Sequence, residues 1–151
     1  MDKITVDFLR SGTCIPCAGQ LRVFTRKWPE GMEVTISNAI RALEFNLSID
    51  WVIRELLPHF AWIAFKEAIA PPRIIYEKAV DAAQIKYRES PDINWAASTE
   101  ARTVASEIVD AAQIKYYEED IAPALAAYRK AEARAWVKVV KSHQERIKGG
   151  K

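Results

Sequence analysis

Two cysteines with two residues between them are the side chains with the most recognisable chemistry, in the segment Cys14-Ile15-Pro16-Cys17. The segment lies between a predicted strand and a predicted helix N-terminus, where the helix dipole stabilises a thiolate. Cys14 would then attack a disulfide, and Cys17, one turn further on, would resolve the mixed disulfide. The alternative without chemistry is a local structural disulfide or two inert buried thiols.

Residues 3–37 resemble the start of the thioredoxin-like fold, through the proline between the cysteines, the later Trp28-Pro29-Glu30-Gly31 and the strand that follows. The resemblance implies that Cys14 is the nucleophile and Cys17 the resolving thiol. It also implies a later hairpin with a cis-proline before its first strand. Pro72 is the one candidate for that place, and the residues after it favour a helix. On the evidence of the cysteine motif, a dithiol oxidoreductase is kept as an alternative function.

The predicted last helix, from Ile121 to Ile147, has one apolar and one cationic side. A row of cations on a helix neutralises phosphates and releases counterions, which predicts sequence-independent binding of nucleic acid. An anionic membrane surface, a partner's groove and a merely solvated face are the alternatives. The apolar side holds Ile121, Leu125, Tyr128, Trp136, Val139, Val140, His143 and Ile147, with Glu132 as the one misfit; the cationic side holds Lys130, Arg134, Lys138, Lys141 and Lys148.

Metal and cofactor chemistry find little support in the residue pattern. A zinc site needs two ligands besides the cysteines, and the two histidines, His59 and His143, lie on separate apolar faces. Glu55 and His59 are four residues apart, but no second such pair completes a di-metal bundle. Neither a phosphate-binding glycine loop nor a Ser/His/Asp pattern is recognisable. We therefore predict no metal, no cofactor and, in preference, no enzymatic activity.

The octet Val-Asp-Ala-Ala-Gln-Ile-Lys-Tyr occurs twice, over 80–87 and 109–116, and the offset of 29 residues is close to a whole number of helical turns. Each copy has one face with matching small and aromatic residues, while Ile85 and Ile114 point the opposite way. A helix that is apolar on two opposed faces has neighbours on both sides. Either the octet is a duplicated core helix, or it mediates self-association through Tyr76, Val80, Ile85, Tyr87, Val109, Ile114 and Tyr116.

Charge is unevenly distributed along the chain, although the net charge is only +2. Residues 1–43 carry six Lys and Arg against four Asp and Glu, residues 44–128 eight against fourteen, and residues 129–151 eight against two. An acidic middle and a basic tail favour head-to-tail contact between copies, or a polyanion held by the tail.

The local patterns predict a mainly α fold, an antiparallel helical bundle with a small N-terminal βαβ or two-stranded element. We divide its single domain into an N-terminal β/α element, 1–37, and a helical region, 38–151. Strands are predicted near 3–9 and 32–37, and helices over 39–46, 49–70 with a kink at Pro58 and an end at Pro71-Pro72, 73–89, 99–119, and 121–147 with Asp120 as its N-cap.

Composition gives hints about source and location. The five Gly and two Met, beside abundant Ile, Arg, Lys and Glu, are typical of a thermophile. The apolar run from Trp51 to Phe65 is too short and too charged to span a bilayer, and no secretion signal is recognisable. We therefore expect a virion or cytoplasmic location.

In size, helicity, thermophilic composition and charge layout, the chain resembles the small helical coat proteins of filamentous archaeal viruses. That resemblance implies a structural subunit that packs against itself or a paralogous subunit and wraps double-stranded DNA. It implies that the row at Lys130, Arg134, Lys138 and Lys141 faces phosphate, together with Arg22, Arg26 and Lys27. A helical adaptor for a protein partner is the third possible function.

Overall fold

The computed structural model describes residues 3–11, 16–90 and 102–149. Within these ranges the chain is mainly helical with one small antiparallel sheet, as predicted. The elements are β1 (Lys3–Ile4), α1 (Val6–Arg10), α2 (Ala18–Lys27), β2 (Met32–Glu33), α3 (Ile36–Glu44), α4 (Ile49–Leu56), α5 (His59–Arg88), α6 (Arg102–Tyr116), a π-helical segment (Tyr117–Ile121) and α7 (Ala122–Gly149).

The chain forms two compact units. Unit 1 comprises 1–70 and 129–151, and unit 2 comprises 71–128. The divisions fall within the two longest helices, α5 and α7, so each of these helices contributes residues to both units. The small sheet and helices α1 to α4 belong to unit 1.

The first strand is much shorter than its alternating sequence predicted. Only Lys3 and Ile4 pair with β2, in antiparallel register opposite Glu33 and Met32. Thr5 ends the strand because its hydroxyl accepts a hydrogen bond from the Phe8 backbone N–H at 3.2 Å and so caps α1. The predicted strand over 3–9 is therefore wrong beyond Ile4, and the sheet lacks the parallel pairing of a βαβ unit.

The second strand is also shorter than predicted, and a similar cap ends it. The Thr35 hydroxyl accepts a hydrogen bond from the Asn38 backbone N–H at 3.2 Å, and α3 starts at Ile36. Before this strand, Gly31 has a φ of 87°, and a Cβ there would lie 3.0 Å from the Ile4 carbonyl oxygen. Glycine is thus required where the turn passes β1.

The core of unit 1 lies between the sheet, α2 to α4, the start of α5 and α7. Its largest fully buried side chains are Trp136, Phe65, Ile4 and Ile53. The indole N–H of Trp136 donates a 2.7 Å hydrogen bond to the Ile49 carbonyl, which satisfies the one polar atom of that side chain. This bond joins α7 to the first residue of α4.

Prolines act differently at two places in the long apolar segment. Pro58 separates α4 from α5, with Leu57 before it in the extended conformation that a following proline favours. The predicted end at Pro71-Pro72 is wrong, because α5 continues through both residues. The helix loses the bonds to the carbonyls of Glu67 and Ala68, but both residues are exposed, so solvent can hydrate these groups.

Helix α6 runs into α7 without the predicted break. The N–H of Ala122 donates to the carbonyl of Tyr117, five residues earlier, which defines a π-helical turn. Pro123 explains the wider turn, since a proline ring clashes with the carbonyl four residues before it in an α-helix. Asp120 is consequently not an N-cap; its carboxylate accepts a 2.8 Å hydrogen bond from Lys86 Nζ.

Candidate nucleic-acid interface

The cationic row of α7 lies at the surface of unit 1. Lys130, Arg134, Lys138 and Lys141 are all exposed, and their spacing of four, four and three residues places them along one side of the helix. The side chain of Lys148 lies outside the described residues. Four cations in a row form a surface that attracts a polyanion.

The buried side of the same helix fixes this orientation. Ala133, Trp136 and Val140 are buried against the rest of unit 1, and the Trp136 hydrogen bond to α4 defines the rotation of the helix. Any rotation that covered the cations would expose an indole and break that bond. Ile147, predicted for the packing side, is 64% exposed near the end of α7.

Glu132, the misfit on the apolar side, is half-buried. The pKa of Glu132 is raised to about 6, first by burial and then by the nearby Asp50 carboxylate, with Arg129 opposing the rise. The side chain still carries a negative charge at neutral pH, at an energetic cost. It lies on the buried side, away from the cationic row.

A second cationic surface lies on α2 and α1. Arg10, Arg22 and Arg26 line one concave surface together with Leu21 and Pro16. The Arg22 Nε donates a hydrogen bond of 3.3 Å to the Ala18 carbonyl, within the first turn of α2. Three arginines that line one concavity suit a phosphate group, because a guanidinium can bind phosphate with two N–H groups.

Sequence reasoning missed Arg10, because the residues around it were predicted to form a strand. The available signal was Thr5, a residue type that favours the N-cap, followed by the acidic Asp7 in the first turn of α1. Lys27, which was predicted to face phosphate, is exposed, and its Nζ lies 4.2 Å from the Phe45 ring centroid. This cation–π contact orients the lysine over an aromatic ring.

The two octets meet at their C-terminal ends in unit 2. Ala83 and Ala112 are buried, and the Tyr87 and Tyr116 rings meet edge to face with centroids 5.9 Å apart. Further along the pair, Tyr76 stacks on Tyr128 at 5.5 Å. The order of these contacts makes α5 and the α6–α7 segment antiparallel here. The tyrosine face of the octet therefore packs within this unit.

The remaining self-association residues divide between the two faces. Val80 and Val109 are half-buried. Ile85 and Ile114 lie on the other side and are 55% and 59% exposed. The second apolar face of each octet thus has no cover within the described part of the chain.

The cysteine motif is only partly described. Cys17 carries a free, exposed thiol at the N-cap position of α2, and Cys14 lies outside the described residues. Pro72 lies inside α5 and its peptide bond is not cis, so it does not take the place of the thioredoxin proline. The described residues, 3–11, 16–90 and 102–149, thus contain neither the cis-proline nor the later hairpin that the resemblance implied.

The histidines do not form a ligand set. His59 is exposed, and the carboxylate of Glu55 accepts a 2.9 Å hydrogen bond from Arg54 Nε. His143 is half-buried, with its Nδ1 atom enclosed. Across residues 3–11, 16–90 and 102–149, no three His, Cys, Asp or Glu side chains come together as metal ligands. Of the helices that the structure describes, none combines the length and apolarity needed to cross a bilayer.

Comparison with family models, with curated proteins and with solved structures finds no match to this chain.

Proposed function

We propose that this chain is a structural protein that associates with copies of itself and binds double-stranded DNA through the cationic side of α7, as a coat subunit does. The observation that carries the proposal is the exposed row Lys130, Arg134, Lys138 and Lys141 on a helix whose opposite side is buried around Trp136. A rigid helix holds these charges in place without a loop that must order on binding.

The length of the row suits a duplex. From Lys130 to Lys141 the helix rises about 16 Å, at 1.5 Å per residue. A duplex presents one phosphate charge per roughly 1.7 Å of its axis, so each cation has a phosphate within reach. Lysine ammonium groups act as point charges, which favours contact with the backbone over readout of bases.

Self-association is supported by the thin core of unit 2. Among its described side chains, the buried apolar ones are Ala83 and Ala112. Large apolar side chains on the same unit stay in contact with solvent: Ile74 is 51% exposed, Ile75 69% and Tyr117 50%. Apolar surface of this extent on a helix pair marks an interaction site.

The salt dependence of DNA binding tests the nucleic-acid half of the proposal. We expect fluorescence anisotropy with a labelled duplex of arbitrary sequence to give a slope of log K against log salt of about −3.6 for four phosphate contacts. The affinity should then fall roughly 150-fold between 50 and 200 mM salt. The triple variant Lys130→Gln, Arg134→Gln, Lys141→Gln should reduce the slope to about −0.9.

A matched control removes three cations elsewhere. Lys78, Arg88 and Lys115 are exposed in unit 2, so changing them to Gln lowers the net charge equally. This control should keep the original slope. Equal losses in the two triple variants would show that net charge alone drives binding, and an absence of DNA affinity at any salt would favour a protein-binding adaptor; either result would overturn the proposal.

A further inference from the structure

An apolar groove with a cationic rim opens within unit 1 between the first half of α5 and α7. Its volume is about 210 Å³, and a cavity of about 150 Å³ already accepts a benzene-sized group. The Phe60 ring, 49% exposed, forms one wall, and the Arg146 guanidinium lies 5.0 Å from the centroid of that ring. The groove is lined by Phe60, Ala61, Ala64, Ala68, Ala135, Lys138, Val139, Ser142, His143 and Arg146.

A surface of opposite charge lies on α6 and the π-helical segment in unit 2. Ile114 and Tyr117 are 59% and 50% exposed there. Asp110, four residues before the isoleucine, and Glu118, four residues after it, are both exposed on the same side. We call Asp110, Ile114, Tyr117 and Glu118 the acidic isoleucine stripe. It offers an aliphatic side chain between two carboxylates.

The two units also differ in net charge: unit 2, which carries the stripe, is acidic, and the rest of the chain, which carries the groove, is basic. By sequence, 71–128 holds six Lys and Arg against ten Asp and Glu, and the rest of the chain holds sixteen against ten. Two copies that approach with unlike units in contact attract each other, whereas like units repel. The groove carries the charged side chains Lys138 and Arg146, so it is complementary to the stripe and not to itself.

We propose that the acidic isoleucine stripe of one copy docks in the groove of a second copy, with Ile114 between the groove alanines and Phe60. The carboxylates of Asp110 and Glu118 would then face Lys138 and Arg146. This inference rests on the proposed self-association and names its interface. Because the two contacting surfaces differ, the contact is heterologous and repeats from copy to copy into a ring or an open filament.

The duplicated octet supplies a matched comparison. Ile85 lies 29 residues before Ile114 in the same octet and is also exposed. At the position that corresponds to Tyr117, however, this copy has Arg88, a cation that would face the cationic rim. The Ile114 copy is therefore the complementary one.

Light scattering coupled to size exclusion, without nucleic acid and at several protein concentrations, tests the interface. We expect wild-type protein to form species larger than a monomer. Ile114→Arg opposes a cation to Lys138 and Arg146, and like charges across an interface are strongly unfavourable. Ala64→Arg fills the groove with a long side chain that leaves no room for Ile114. Each substitution should raise the dissociation constant about 100-fold or more. Ile85→Arg should assemble like the wild type. Circular dichroism establishes that each variant is folded.

A mixture of two variants separates this interface from other modes of association. Ile114→Arg keeps an intact groove and Ala64→Arg an intact stripe, so an equal mixture should form a one-to-one dimer and nothing larger. If the mixture stays monomeric, or if Ile114→Arg assembles like the wild type, the assigned interface is wrong while self-association itself stands. If wild-type protein is a monomer at every concentration, the proposed self-association fails as well.

Discussion

The half-buried carboxylate of Glu132 gives a quantitative prediction. Its pKa is raised from 4.5 to about 6, first by burial and then by Asp50, with Arg129 opposing. A shift of about 1.5 units corresponds to about 2 kcal/mol at 1.36 kcal/mol per unit. Because the side chain is partly exposed, solvent screening reduces this to about 1 kcal/mol. That penalty opposes folding whenever the carboxyl is ionised.

The sign of the pH dependence follows from proton binding. Between pH 4.5 and about 6 the folded state holds more protons on Glu132 than the unfolded state, since its folded pKa is the higher one. The free energy of unfolding therefore falls as pH rises through this window. The penalty is absent below the unfolded pKa and complete above the folded pKa.

Glu132→Gln replaces the ionisable carboxyl group with an uncharged amide of nearly the same shape. We expect the substitution to raise the free energy of unfolding by about 1 kcal/mol at pH 7.5, with a rise in Tm of about 2–4 °C, and to change it little at pH 4. Urea unfolding followed by tryptophan fluorescence measures this, since Trp51 and Trp136 are buried in the same unit. Glu145→Gln, at an exposed position on α7, is the control. A variant less stable than wild type at pH 7.5, or one that gains equally at both pH values, would refute the reasoning.

Two further substitutions test the core of unit 1 by thermal unfolding. Trp136→Phe removes the donor to the Ile49 carbonyl and part of a fully buried ring system, so we expect a loss of about 2–4 kcal/mol; a loss below about 1 kcal/mol would contradict this packing. Gly31→Ala forces a Cβ against the Ile4 carbonyl at a positive φ, which should cost about 1–3 kcal/mol, and an unchanged Tm would be inconsistent with the turn described.

If both proposals hold, one helix serves two purposes. Lys130, Arg134 and Lys141 would contact DNA, while Lys138 lies between them and also lines the groove. In the assembly, each successive copy would then contribute one cationic row for DNA. Binding of DNA and binding of a neighbouring copy should consequently reinforce each other, because copies held on one duplex have a high effective concentration for each other.

Features that depend on helical periodicity were predictable from the sequence. The buried and cationic sides of α7 follow from which residues recur every three or four positions. The packed tyrosine face of each octet and the outward direction of Ile85 and Ile114 follow in the same way. These are properties of a local repeat, and in the tertiary structure the tyrosines are in contact while both isoleucines are exposed. The charge separation along the chain is likewise a property of the sequence alone.

Element boundaries were decided by tertiary structure. At Thr5, at Pro71-Pro72 and at Pro123 the competing local conformations differ by only about 3 kcal/mol or less, so packing around each site determines the outcome. Beyond Ile4, the residues predicted to form a strand over 3–9 form an N-cap and a helix, and α5 continues through Pro71 and Pro72. The groove joins residues of α5 and α7 that are far apart in sequence, and the arginine concavity joins residues of two different helices, α1 and α2. Their existence depends on how helices pack, which no local pattern of residues specifies.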